Sequence, residues 1–286
     1  MNGPLRKSIV ITGSSKGLGL GMAKSFLARG CSVTLSGRDS RVLDAAIAEL
    51  SNEYEAQVSG LAGDVAREED LAALWDHAAA KFGRVDIWIN NAGTTNPQVP
   101  FVEQSPNVID SVVRTNLTGT MLGSHIALKR MQAQGFGALY NMEGFGSDGS
   151  RQPGMSTYGA TKIAVRYLTR SLAAECSGTP VIVGALSPGV VVTDLLLDVY
   201  AKGRPENWKK ARRIFQFIAD RTETVAPWLV DAMLANTRND VRLAWMTVPK
   251  AIMRFFMPSY HRRKLLPDTL YSTRLPHASK RDIPQQ

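Results

Sequence analysis

Ser8-Ile9-Val10-Ile11-Thr12-Gly13-Ser14-Ser15-Lys16-Gly17-Leu18-Gly19 is the stretch that decides the fold. A short β-branched run predicts a strand, three glycines interrupt it, and Leu20–Arg29 resumes as a helix. Strand, glycine loop, helix is the arrangement that lays a pyrophosphate on a helix N-terminus. Glycine lets the backbone approach the phosphates and lets the helix pack closely on the strand. The spacing is TGxxxGxG rather than GxGxxG, and it assigns Gly13, Ser15, Lys16, Gly17, Leu18 and Gly19 to a dinucleotide.

Outward from there, Cys31–Ser36 predicts a second strand ending at Gly37-Arg38-Asp39. A site for NAD wants a carboxylate at this strand end to bond the ribose 2′-hydroxyl. Gly37 removes it and Arg38 supplies a cation, with Ser15 and Lys16 opposite, which favours a 2′-phosphate and so NADP(H). Ser40–Leu50 carries an apolar stripe at helical spacing. Val58–Ala62 predicts a strand ending at Asp64-Val65, where an acid can meet the adenine. Glu68–Phe82 predicts a helix, and Val85–Ile89 a strand leading into Asn90-Asn91-Ala92-Gly93.

Val108–Met131 reads as one or two helices carrying Asn116, and an Asn inside an apolar helix usually bonds locally or caps. Ala138–Asn141 predicts a strand, Ser156–Cys176 a helix, and Val181–Ala185 a strand followed by Ser187-Pro188-Gly189 and Thr193. Leu195–Ala219 holds a Gly-Arg-Pro break and no clean strand, so it reads as a mobile flap over 194–220. Glu223–Ala235 predicts a helix and Val241–Thr247 the last strand. The alternation predicts an α/β single-domain Rossmann fold over residues 1–249, a doubly wound parallel sheet of about seven strands with a helical substrate flap. A basic, aromatic extension over 250–286 follows.

The 286 residues, 44% apolar and 21% charged, suffice for a sizeable core in one large domain or two small ones. Cys31 and Cys176 fit neither a disulfide framework nor a metal spacing, and the histidines at 77, 125, 261 and 277 are scattered, so no metal site is predicted. Met1–Lys7 is short and polar, and no apolar run approaches the ~18 residues of a membrane span, which predicts a soluble cytoplasmic protein. The net charge of +9 is uneven: residues 1–199 hold 17 Lys+Arg and 18 Asp+Glu, residues 200–286 hold 17 and 7. That basic part is either a solvated face or a surface for an anionic partner such as membrane headgroups, with 250–264 as the peripheral contact. No nucleic-acid motif accompanies the charge, so nucleic acid is not an expected partner.

Tyr158 and Lys162 stand four apart on the helix over 156–176, so both project from one face. An ammonium beside a phenol favours the phenolate, which would bring a proton donor nearer neutral pH. Together with Thr12-Gly13-x3-Gly17-x-Gly19, Asp64, Asn90-Asn91-Ala92-Gly93, Asn116 and Pro188-Gly189-x3-Thr193, all in order, the chain resembles the short-chain dehydrogenase/reductase family over about residues 8–247. The resemblance implies Tyr158 as general acid, Lys162 holding the nicotinamide ribose and lowering the Tyr158 pKa, and Asn116 anchoring a relay water. It also implies Thr193 and the backbone near Val191 gripping the carboxamide. NADPH would supply hydride to a carbonyl carbon and Tyr158 the proton to its oxygen. Assembly as a homodimer or homotetramer, through the helices at about 102–134 and 156–176, is implied as well.

One family feature is missing. The serine that bonds the substrate carbonyl falls on Phe145, and the nearest hydroxyl is Ser147. Either the glycine-rich loop shifts Ser147 into place or the site works without it; a non-catalytic NADPH-binding protein is the alternative, against which Tyr158, Lys162 and Asn116 argue. Asn141-Met142-Glu143-Gly144-Phe145-Gly146-Ser147 and Leu186–Leu197 are similar to the chlorophyll b reductase branch, which also lacks that serine. The branch implies reduction of the 7-formyl group of chlorophyll(ide) b to hydroxymethyl; another lipophilic carbonyl, of a steroid, retinoid or 3-oxoacyl compound, is the alternative. A large flat substrate needs a wide mouth, which Leu195, Leu196, Leu197, Val199, Tyr200, Trp208, Phe215 and Phe217 either line or bury as helix core.

Overall fold

Ile9 and Ile11 pack into one hydrophobic core and Val10 into another, so β1 (Ser8–Ile11) is buried on both faces. Continuous apolar strands of this kind belong at the centre of a parallel sheet covered by helices. The computed structural model describes residues 6–201, 205–263, 265–267 and 270. After β1 come α1 (Gly17–Leu27), β2 (Ser32–Gly37), α2 (Ser40–Tyr54), β3 (Val58–Ala62), α3 (Glu68–Phe82) and β4 (Ile87–Asn90). Next are α4 (Pro106–Val113), a π-helical turn at Arg114–Thr118, α5 (Gly119–Gln134), β5 (Gly137–Met142), α6 (Ser156–Glu175) and β6 (Val181–Ser187). The described residues continue through β7 (Val190–Val192), α7 (Asp194–Ala201), α8 (Pro205–Ile218), β8 (Ala219–Arg221), α9 (Thr222–Ala235), β9 (Val241–Ala244), α10 (Val248–Phe256) and α11 (Pro258–His261).

Seven strands form one parallel sheet in the order β3-β2-β1-β4-β5-β6-β9. Side chains of α1, α2 and α9 fill the core on one face and those of α3, α5 and α6 the core on the other. This is the doubly wound fold expected from the sequence. Strand order reverses between β1 and β4, and ligands of such sheets bind in the crevice beyond the strand C-termini at that point. The element ends follow local chemistry. Asp39 caps α2 by accepting from the Arg41 and Val42 N–H groups, and Gly83, at φ +79°, ends α3 in the left-handed region.

The 194–220 segment is helical, as the sequence suggests: α7 and α8 occupy it, while β7 and β8, which the sequence did not reveal, pair beside it as a small parallel sheet. Three-residue strands leave no periodic signal, which is why they escape a sequence reading. Of the apolar residues that either line a substrate mouth or form helix core, Val199, Tyr200 and Trp208 do the second, buried in a satellite core with Met155. The Tyr200 ring packs tilted against Trp208, centroids 5.5 Å apart, and edge-on against Phe215 at 5.7 Å. Leu195 alone of that set is more than a third exposed. Residues 203 and 204 of the Gly-Arg-Pro break, and most of the C-terminal tail, lie outside the described residues.

Candidate active site

The glycine loop is held from below by the chain after β4. Asn91 donates its Nδ2–H to the carbonyls of Thr12 and Gly13, each at 2.9 Å, while Thr12 Oγ1 accepts from the N–H groups of Asn91 and Ala92 at 3.0 Å. A Cβ on Gly13 would stand 2.7 Å from Ala92 Cα, and one on Gly19 would stand 2.5 Å from Gly13 O, so both positions require glycine. No side chain caps the N-terminus of α1 and its first turn holds no acid, which leaves N–H groups and dipole for an anion. Leu18 is half-buried beneath the loop, and Lys16 is exposed on it.

Around this loop the structure gathers most of the predicted residues. A Cβ on Gly37 would touch Ser15 Oγ at 2.8 Å, so Ser15 sits at the end of β2, where Arg38 is exposed. Asp39 is occupied as the α2 cap. Gly17 faces Thr193, whose Cγ2 would lie 3.7 Å from a Cβ there. A Cβ on Gly93 would meet Asn116 Oδ1 at 3.5 Å and Lys162 Nζ at 3.9 Å, so these two polar groups flank one glycine. These are cradles that a nicotinamide dinucleotide fits: bare N–H groups and cations at the glycine loop, with Thr193 beside Gly17, and Gly93 with Asn116 and Lys162 after β4.

Other predicted residues are placed differently. Asn90 is buried, its side chain engaged with Trp88 Nε1, Thr120 O, Ser124 Oγ and Asn141 Oδ1. Asp64 accepts from the Ala66 N–H at 3.0 Å, and Val65 belongs to the core beside α3 and α5. Pro188 is buried, Gly189 turns at φ +71° and Val191 packs on the core below.

Tyr158 and Lys162 share one face of α6 as expected. Lys162 is 4% exposed and donates its Nζ–H to Met142 O at 3.0 Å. Asn116, within the π-turn, accepts from Thr94 N–H at 2.8 Å and donates to Thr94 O and to Thr161 Oγ1. A π-turn of this kind re-aims one residue of a helix, and such turns concentrate at functional sites. The Tyr158 hydroxyl lies against Gly144: a Cβ there would stand 2.3 Å from it. Burial pushes the Tyr158 phenol up to about 12 and the Lys162 ammonium down to about 8. The lowered phenol pKa expected from the neighbouring lysine is therefore not seen: desolvation sets the direction, with the Lys162 Nζ 5.7 Å from the ring centroid.

Sequence reasoning missed Glu143. It is 2% exposed, directly after β5, and its Oε2 accepts from Arg242 Nε at 2.7 Å and from Ser147 Oγ at 3.4 Å. Arg166 Nε stands 3.8 Å from its Oε1, and its charge opposes the desolvation of Lys162. Ser147 is thus turned toward Glu143, while Phe145 at the tip of the same turn is 41% exposed. The partner of Glu143 is 99 residues away in sequence, so no local pattern announces it.

The sequence profile of the short chain dehydrogenase family matches residues 7–203. The chain belongs to the short-chain dehydrogenase family. It is 36% identical over 259 residues to chlorophyll(ide) b reductase NOL, chloroplastic, of Oryza sativa subsp. japonica, covering 87% of this chain and 74% of that one. It is 34% identical to the probable chlorophyll(ide) b reductase NYC1, chloroplastic, of Arabidopsis thaliana, covering 86% of this chain but only 52% of that one. A solved 3-ketoacyl-(acyl-carrier-protein) reductase from Brucella melitensis, complexed with NADH, superposes with TM-score 0.72 at 27% identity, over 85% of this chain and 98% of that one. This short-chain dehydrogenase is accordingly an oxidoreductase with a nicotinamide cofactor. Both relatives are chloroplastic, so the expected cytoplasmic location gains no support from them. Among the described residues no helix is long and apolar enough to cross a membrane.

Proposed function

We propose that this enzyme reduces the carbonyl of a large hydrophobic substrate with NADPH, and that the substrate is the 7-formyl group of chlorophyll(ide) b, which becomes hydroxymethyl. The observation that carries the reaction is the placement of Tyr158, Lys162 and Asn116. The phenol lies against Gly144, while Lys162 Nζ and Asn116 Oδ1 flank Gly93 at the inner end of the cofactor cradle. What favours chlorophyll(ide) b is the likeness to the two reductases of that pigment.

The cofactor, when bound, supplies the hydride. Tyr158, with its phenol near 12, holds its proton at neutral pH and can give it to the nascent alkoxide. Lys162, near 8, is mostly protonated at pH 7 and can bond a ribose hydroxyl while replenishing the Tyr158 proton. Asn116 fixes the backbone of Thr94 beside them and would seat the relay water. Arg38, Ser15 and Lys16 would hold the 2′-phosphate, and the capped Asp39 leaves no carboxylate to prefer NAD. The α1 N-terminus, from Gly13 to Gly19, would take the pyrophosphate, with Asp64 and Val65 toward the adenine and Asn90, Ala92 and Gly93 along the ribose. Pro188, Gly189, Val191 and Thr193 would seat the carboxamide. Ser147 enters as the carbonyl-binding hydroxyl once the Gly144–Gly146 turn moves it off Glu143.

Assembly as a homodimer or homotetramer belongs to the same reading, since Met121, Ile163 and Tyr167 on α5 and α6 are large, apolar and 45–76% exposed. The test of substrate is NADPH oxidation across a panel holding chlorophyllide b, a ketosteroid, retinal and a 3-oxoacyl thioester. Fastest turnover on chlorophyllide b, with the hydroxymethyl pigment as product, is expected. Turnover of the others but not of chlorophyllide b would overturn that choice of substrate.

A further inference from the structure

α10 presents its polar side to the protein and its apolar side to solvent. Arg254, 3% exposed, donates Nη1–H to Asp220 Oδ2 at 2.7 Å. One turn earlier Lys250 lies 3.0 Å from the Trp245 ring centroid and donates to Trp245 O at 3.1 Å. Asp220 also accepts from Trp245 Nε1 and from Arg263, and Tyr260 sits between the Arg254 and Arg263 guanidinium groups at 4.8 and 4.7 Å. The polar hub therefore fixes which way the helix faces. Its outward line, at four-residue spacing, is Val248, Ile252 and Phe256, flanked by Met253 and Phe255, and all five are 54–75% exposed.

A surface helix normally buries its apolar stripe and shows water its charges. Contiguous exposed apolar faces of this kind mark interaction sites. The face continues onto α8, where Phe217 packs on Phe255 with centroids 5.3 Å apart and Ile214 is 60% exposed. Lys210 and Arg213 share that strip of α8, and Arg262 follows α11; all three are exposed. An isologous contact between two copies would bring the same basic strip from both sides into one interface, which is unfavourable. An anionic bilayer satisfies both halves of the surface, apolar side chains in the acyl boundary and cations among the headgroups.

We propose that α10 and the adjoining strip of α8 form a docking face for an anionic lipid bilayer, with Ile252, Phe255 and Phe256 entering the interface. The inference goes beyond the reductase reading and does not depend on which carbonyl is reduced. The test is co-sedimentation of the full chain with vesicles of phosphatidylcholine alone and of phosphatidylcholine with phosphatidylglycerol. Binding at least tenfold tighter to the anionic vesicles is expected, weakening as salt rises. Phe255→Glu/Phe256→Glu and, separately, Lys210→Glu/Arg213→Glu are each expected to lose tenfold or more while keeping the wild-type melting midpoint. The charge pair is the second variant should the aromatic pair unfold. Absence of binding to anionic vesicles, equal binding to both vesicle types, or binding unchanged in a folded variant would overturn the proposal. So would an Ile252→Glu variant that splits a dimer yet binds vesicles as before, for then a second copy covers this face.

Discussion

Lys162 is a residue whose service to the site costs the fold. It is buried, and its pKa falls from 10.5 to about 8, which corresponds to about 3 kcal/mol of desolvation not recovered from its neighbours at neutral pH. Lys162→Met is expected to abolish turnover yet raise the stability of the cofactor-free protein by about 1–3 kcal/mol at pH 7, measured by urea unfolding. The unfolded chain holds the proton more tightly between pH 8 and 10.5, so wild-type stability rises with pH through that window and the variant's advantage fades. Tyr158 acts in the other sense: its raised pKa contributes stability fully present below pH 10 and lost as pH climbs through about 12. A variant no more stable than wild type at pH 7 would contradict the burial argument. Gly144 gives a second prediction at this scale. With 2.3 Å between a Cβ and the Tyr158 hydroxyl, Gly144→Ala must displace the phenol, and kcat is expected to fall about 100-fold with cofactor binding kept. Titrating the variant with NADPH and measuring turnover checks both halves. The Tyr158–Lys162 pair was legible in the sequence because helical spacing alone puts two residues on one face. Glu143 was not, because its burial and its bond to Arg242 depend on β9 joining the sheet beside β6.

At the scale of elements, Asp220 ties β8 to the two C-terminal helices. The carboxylate is 3% exposed and meets Arg254, Arg263 and Trp245. Removing one partner of a buried pair leaves an uncompensated charge, at about 3–5 kcal/mol. Asp220→Ala is expected to lose stability in that range and to open the segment from α10 to α11 to protease before the sheet unfolds. Unchanged digestion of that segment would show that the hub does not hold it. The same region marks where sequence reading stopped short. β3 and α3 agree with the sequence to the residue, since the regular alternation of strand and helix and a long helical run closed by Gly83 define them. β7 and β8 are three residues each and exist only because the chain returns from α8 to pair with itself. The π-turn at Asn116 was read as helix because its sequence carries no break.

For the whole molecule, strand order and the crevice at the β1–β4 reversal follow from a single pattern, strand, glycine loop, helix and regular alternation, so the fold was readable from its first nineteen residues onward. How subunits meet was not, since an exposed apolar residue looks the same in sequence as a buried one. Ile163 and Tyr167 are 48% and 76% exposed on α6, and Ile163→Glu/Tyr167→Glu is expected to convert the proposed homo-oligomer to monomers by light scattering. A wild-type protein already monomeric at micromolar concentration would contradict that. The central claim is that Tyr158 protonates a carbonyl reduced at the expense of NADPH. Its most direct test mixes wild type or Tyr158→Phe with NADPH and chlorophyllide b, following nicotinamide and pigment absorbance together. One NADPH is expected to be consumed per formyl group converted in wild type, with a loss of about 100-fold or more in Tyr158→Phe while NADPH still binds. Nicotinamide oxidation without change in the pigment, or turnover retained in Tyr158→Phe, would contradict it.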